Sequence, residues 1–191
     1  MPLTLFSRAR TESTAPEYQP EPRPETGETW KPEGVLVSQR FLGLAGAVTL
    51  VYTADAGVNG TCYAVACLGC MFRTRSQDRD TCIYSEEKGG RIANAHAAEC
   101  RALPRELPPR PDDDTAREIV RRRLNSERRA GYDTTVYLTA FHLDRLALQR
   151  STEWIEEQLQ RIADEQPELL TAKPRTYGTG TDFTILRFPK G

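Results

Sequence analysis

Lysine is scarce in this chain of 191 residues: 4 of its 26 basic residues are lysine, and the other 22 are arginine. Long apolar runs are lacking too. The longest apolar region, FLGLAGAVTLVYTADA, is broken by glycines and ends in an aspartate, short of the ~20 apolar residues that a membrane-crossing helix needs. That excludes a spanning helix and predicts no membrane partner. The N-terminus, MPLTLFSRAR, has too short an apolar run for a secretory signal and soon turns acidic and proline-rich, so a cytoplasmic protein is expected. A surplus of positive charge is absent, since the formal net charge is -1. A globally basic nucleic-acid binder is thereby excluded, and any such binding would need a local patch. Also missing are a nucleophile elbow, a phosphate-binding glycine loop and a paired-carboxylate motif. YGTGTD near the C-terminus is too short to count as one. No enzymatic activity is expected.

What the chain does have is a cysteine pattern. Cys67 and Cys70 stand in the run ACLGC; after 25 intervening residues His96 and Cys100 follow in NAHAAEC. Two close pairs of nitrogen and sulfur ligands are what a tetrahedral zinc site takes. The glycine in the first pair lets the backbone curl, and a spacing of four puts His96 and Cys100 on one face of a helix. A structural Zn2+ site at Cys67, Cys70, His96 and Cys100 is therefore predicted. The total of five cysteines is odd, which fits metal binding in a reducing compartment better than a disulfide framework. Cys62 and Cys82 are rival ligands. Cys62 would face the core if TCYAVAC is a strand, and Cys82 could replace one ligand if its hairpin folds inward. Glu99 beside Cys100 invites comparison with zinc deaminases, but order and spacing differ. Four protein ligands close the site to substrate.

The predicted fold class is α+β: a zinc-stapled β-hairpin and helix, then a helical C-terminal half with a terminal strand. Residues 1–33 read as a Pro/Glu/Thr-rich tail, disordered or ordered by a partner, with Leu3, Leu5, Phe6 and Trp30 as candidate anchors. Residues 34–105 form the zinc-binding ββα-type module. Strands are expected near VLV and VTLVY, and a hairpin joins residues 46–54 to 61–67. A helix capped by Ser85 is expected to carry His96 and Cys100, its start weakened towards Arg91 by Gly89 and Gly90. Residues 106–111 are a proline-rich connector, and 112–191 a helical region. There a helix begins at Asp112 to Asp114, a second runs from Thr134 to about Gln149, and Ser151 or Thr152 caps a third. TDFTILRF alternates as a strand, with Phe183 and Ile185 on one face.

A strand, a CxxC knuckle, a hairpin and a helix with HxxxC resemble the Cys-Cys-His-Cys zinc fingers. The gap of 25 residues exceeds the ~12 of a compact DNA-reading finger, so base readout does not carry over. ACLGC and NAHAAECRALP also resemble small actinobacterial proteins associated with plasmids and other mobile elements, over about residues 60 to 105. That resemblance implies zinc ligation at the same four residues and no activity. A second signal is the arginine-rich helix, with Arg117, Arg121, Arg122, Arg123, Arg128 and Arg129. It reads as a phosphate-contacting face or as a solvated face balanced by glutamates. The glutamates of the following helix, among them Glu153, Glu156 and Glu157, would repel phosphates and count against a winged helix. The expected function is a structural zinc-binding adaptor whose partner is a protein or a second copy. The alternative is a nucleic-acid-binding regulator of a mobile element.

Overall fold

A computed structural model describes residues 25–55, 62–74, 85–176 and 178–188. The anchors Leu3, Leu5 and Phe6, together with Cys82, lie outside the described residues. The architecture is α+β: two antiparallel sheets, ordered β1-β2-β3 and β4-β6-β5, with four α-helices.

The first sheet comprises β1 (Val35–Leu42), β2 (Val48–Ala54) and β3 (Ala64–Cys67). The expected hairpin is present: β2 and β3 pair antiparallel from Thr49↔Cys67 to Tyr52↔Ala64. β2 is the central strand, and its apolar run is buried on both faces. Leu50 and Tyr52 point into one cluster with Trp30, Val35, Ala64 and Ala66, whereas Val51 points into another with Val65 and Ala93. Side chains that alternate along a strand produce this division. Trp30 is buried in that first cluster, and its carbonyl accepts from Arg40 Nη2 at 2.8 Å.

Helix α1 (Glu86–Glu99) crosses the Val51 face. Ser85 caps it by accepting from the Lys88 amide, and Glu86 and Glu87 lie in its first turn, where the helix dipole favours negative charge. Gly89 and Gly90 do not delay the start, contrary to the sequence expectation. Both are buried, and a Cβ at Gly89 would stand 2.9 Å from Val51 Cγ1. Close packing on the sheet outweighs their poor helix propensity.

In the C-terminal half, α2 (Asp113–Glu127) starts at its Asp112 cap, and α4 (Thr152–Glu165) at its Ser151 cap. The helix expected from Thr134 to Gln149 is replaced by three short elements. Thr134–Val136 form β4, Leu138–Phe141 a 3-10 turn, and Arg145–Leu148 the single-turn α3. Three β-branched residues in a row favour a strand, and β6 (Thr181–Ile185) supplies the partner through Val136↔Phe183. β5 (Leu170–Pro174), which nothing in the sequence pattern announced, pairs with the other edge of β6. Phe183 and Ile185 share a face as expected, in one core with Val120, Leu124, Phe141, Ile155 and Leu159. Arg187 is exposed beyond the strand.

Two buried arginines join the parts. Arg145 is 1% exposed; it reaches Asp55 at 3.5 Å and Thr152 Oγ1 at 3.0 Å, and Thr152 donates to Asp55 at 2.6 Å. The end of β2 is thus tied to the start of α4. Gly34 makes the crossing possible: its φ is +73°, and a Cβ there would meet the Arg150 carbonyl oxygen. Arg150 donates to Asp113 Oδ1 and to the carbonyls of Pro111 and Gln149, and lies over the Trp154 ring. Gln149 donates to the Pro108 and Pro109 carbonyls, each at 3.0 Å. The proline-rich connector is therefore held by side chains from α3 onward.

Arg150→Ala should strand these buried carbonyls and lower stability by about 2–3 kcal/mol. Arg150→Lys should recover little of it, because an ammonium lacks the planar fork. Chemical denaturation of the three proteins checks this; a lysine variant as stable as the parent would refute the fork's role.

Candidate metal centre

The four predicted ligands come together. One ligand atom each from Cys67, Cys70, His96 and Cys100 lies within 4.8 Å of all the others. Cys67 ends β3, and Cys70 follows on the knuckle turn. The Cys67 amide donates to the Phe72 carbonyl at 2.8 Å, closing the knuckle, and Met71 takes a left-handed φ of 64°. Gly69 lets the knuckle press on its neighbours: a Cβ there would stand 2.4 Å from the Ala47 Cβ and 2.8 Å from the Leu103 carbonyl.

His96 lies in the last turn of α1, and Cys100 is its C-cap rather than a residue within it. The helix stops before the Cys100–Leu103 stretch that the sequence reading included. The Cys100 carbonyl, left without a helical partner, accepts from the Leu44 amide at 2.9 Å. The turn between β1 and β2 therefore grips the helix end that carries two ligands. The His96 ring stacks on Phe72 at 4.1 Å between centroids, with 9° between planes, which fixes its orientation.

Cys67 Sγ and Cys100 Sγ are 3.9 Å apart, and Cys70 Sγ is 3.2 Å from His96 Nε2. Bonds of about 2.3 Å from sulfur and about 2.0 Å from nitrogen to one tetrahedral ion would set such pairs roughly 3.5–3.8 Å apart. The donor set and its spacing thus fit a single metal ion bound through Nε2 and three thiolates. Cys67 and Cys100 are buried, His96 is half-buried and Cys70 is exposed.

The thiols differ in acidity. Burial raises Cys67, but the Cys70 and Gly69 amides and the neighbouring His96 and Thr49 side chains outweigh it, bringing the thiol down to about 6. Cys70 is pushed up by burial and by the neighbouring Cys67 and Cys100 sulfurs. One negative sulfur is tolerated readily, and a second needs a cation beside it.

Cys62 is buried and disulfide-bonded, which corrects its reading as a core thiol and rival ligand. An oxidised sulfur offers no thiolate. The disulfide also removes the argument from cysteine number for a reducing compartment. The rival Cys82 lies outside the described residues. Among those residues, no helix is long and apolar enough to cross a membrane.

Against family models, curated proteins and solved structures, the chain has no match. The likeness to mobile-element proteins thus stays with the sequence phrases that suggested it.

The arginine helix lies apart from the metal ligands in the chain, and most of its side chains face inward partners. Arg117 bonds Gln158 and Asp114, Arg121 bonds Glu165, and Arg123 bonds Asp144 at 2.6 Å. Arg128 donates to the carbonyls of Leu186 and Glu168 and lies over Phe188. Arg129 bonds the Ser126 carbonyl and Glu127. Arg122 is exposed. The acidic residues of α4 that count against phosphate binding include the very partner of Arg121.

Because Cys67 is lowered from 9.0 to about 6, its thiolate persists in the fold at pH values where an unfolded chain holds the thiol. That contribution is present above the ordinary thiol range and is lost as pH falls through about 6. Protons and metal compete for the same sulfur. Metal affinity should therefore weaken progressively as pH falls below that value, read by competition with a chromophoric chelator at each pH. Affinity unchanged down to about pH 4 would contradict it.

Proposed function

We propose that this protein is a non-enzymatic adaptor whose fold is stapled by a structural zinc ion at Cys67, Cys70, His96 and Cys100. The observation that carries the reading is the mutual approach of four ligand atoms within 4.8 Å, drawn from a knuckle and a helix end far apart in sequence. Zinc is the metal favoured by a tetrahedral set of three sulfurs and one nitrogen. With all four positions taken by side chains, the ion has no open place for a substrate, so its contribution is to folding.

The adaptor part of the reading is supported by the surface around the centre. Leu44, Met71 and Leu103 are 65%, 67% and 71% exposed. Each is tied to the site: Leu44 through its bond to Cys100, Met71 as the neighbour of Cys70, and Leu103 through its carbonyl packed on Gly69. Exposed apolar side chains gathered at a rigid site suit a protein partner, including a second copy of this chain. The alternative of a nucleic-acid-binding regulator has less behind it, because Arg117, Arg121, Arg123, Arg128 and Arg129 already serve intramolecular partners. Binding to DNA or RNA that falls steeply with salt and weakens when Arg121 to Arg123 are neutralised would favour that alternative.

Metal analysis of the purified protein should find close to one zinc per chain. Cys67→Ser or Cys100→Ser should abolish retention and open the hairpin to proteolysis, since metal binding in such a site is folding free energy. Cys62→Ala should keep the metal. A metal-free parent protein that resists protease would sink the proposal.

A further inference from the structure

One polar group in the wall of the centre has no partner. Thr49 is fully buried, and its Oγ1 makes no hydrogen bond. A hydroxyl cut off from water destabilises a fold unless an acceptor meets it. In the β2–β3 pairing Thr49 stands directly opposite Cys67. The Leu68 amide donates to the Val48 carbonyl at 2.8 Å, so Thr49 and Cys67 form a pair without mutual backbone hydrogen bonds. Such pairs bring side chains closest, with Cα atoms about 4.5 Å apart. Val51 and Val65, two residues further along the same pairing, pack against Ala93 of α1. By strand alternation Thr49 and Cys67 project to that same face, the one on which α1 brings His96 and Cys100.

We infer that Thr49 is a positioning residue of the metal centre, its hydroxyl donating to Cys67 Sγ when that sulfur is a metal-bound thiolate. The inference rests on the metal reading above. The Gly69 amide already approaches the same sulfur at 3.4 Å, so Cys67 receives donors from the knuckle and from the strand. Three thiolates on one divalent ion leave a net negative centre. Buried Cys67 is shut off from water, so only protein donors can offset its share of that charge. The Thr49 hydroxyl is then satisfied by the metal-bound state, which couples strand register to metal affinity.

Thr49→Val removes the O–H while keeping shape and strand preference; Thr49→Ser keeps the O–H and loses a methyl group. Zinc affinity would be measured by chelator competition. The thiolate-to-metal charge-transfer band would be read with Co(II) in place of zinc, and circular dichroism would verify that each variant is folded. Thr49→Val should bind zinc roughly tenfold more weakly and shift the band, while Thr49→Ser stays within about threefold of the parent with the band unmoved. The reverse order, with valine at the parent value and serine impaired, would show that the position only fills space and overturn the inference. Equal affinity and an unmoved band in Thr49→Val would overturn it too, leaving the metal reading intact. A parent protein that takes up neither zinc nor Co(II) would remove both.

Discussion

Three cysteine sulfurs gathered within 4.8 Å of one another and of an imidazole cannot all carry charge unless a cation sits among them. At such separations the repulsion between thiolates is large wherever water is excluded. The thiols differ accordingly: burial raises Cys67 but the donors around it outweigh that and draw it down, while burial and the neighbouring sulfurs drive Cys70 up. A divalent ion turns this repulsion into attraction. An ion held by the four side chains would add its attraction to the burial of β2, to the strand ladders and to hydrogen bonds such as Leu44 to Cys100 and Gln39 to Glu86, which already join these elements. The N-terminal half is small enough for that attraction to matter.

The C-terminal half is held by burial and by arginines. There Val120, Leu124, Phe141, Ile155 and Leu159 form a continuous core between helices and sheet, and its polar connections are guanidinium forks. Arg150 collects the carbonyl of Pro111, at the end of a proline-rich connector with few amides of its own, and that of Gln149 after α3. Arg145 reaches Asp55 at the end of β2. Leu146 enters the core cluster around Leu50 and Tyr52. The halves are thus distinct in how they are stabilised yet share a boundary made of arginine, aspartate, threonine and the leucines Leu143 and Leu146.

Features encoded within a few residues were legible from the sequence. The four clustered side chains announced themselves by spacing, the starts of α2 and α4 by Asp112 and Ser151, and the hairpin by its apolar runs on either side of a turn-rich segment. Features that depend on distant partners were not. Thr134 to Val136 read as the start of a helix because the apolar spacing that followed was helical; the strand exists because β6, nearly fifty residues on, completes it. β5 ends in a proline and has a weak alternation, so only its pairing with β6 defines it. Cys62 showed no local sign of its disulfide. Thr49 was an ordinary strand residue until the register set it across from Cys67.

The abundance of arginine has a structural use that charge counting concealed. With 26 basic and 27 acidic residues, the chain is nearly neutral, and on α2 that neutrality is local. Arg117, Arg121 and Arg123 each meet a carboxylate from their own helix, from α4 or from the loop before α3. Arg128 spends its fork on backbone carbonyls beyond β6 and before β5. A lysine could not make those planar, paired contacts, which is a physical reason for so few lysines in this half. A helix whose cations are committed to its own fold has less field left to attract phosphates. Exposed apolar side chains occur in both halves: Leu44, Met71 and Leu103 near the four clustered side chains, and Tyr132, Tyr137 and Phe188 in the C-terminal half.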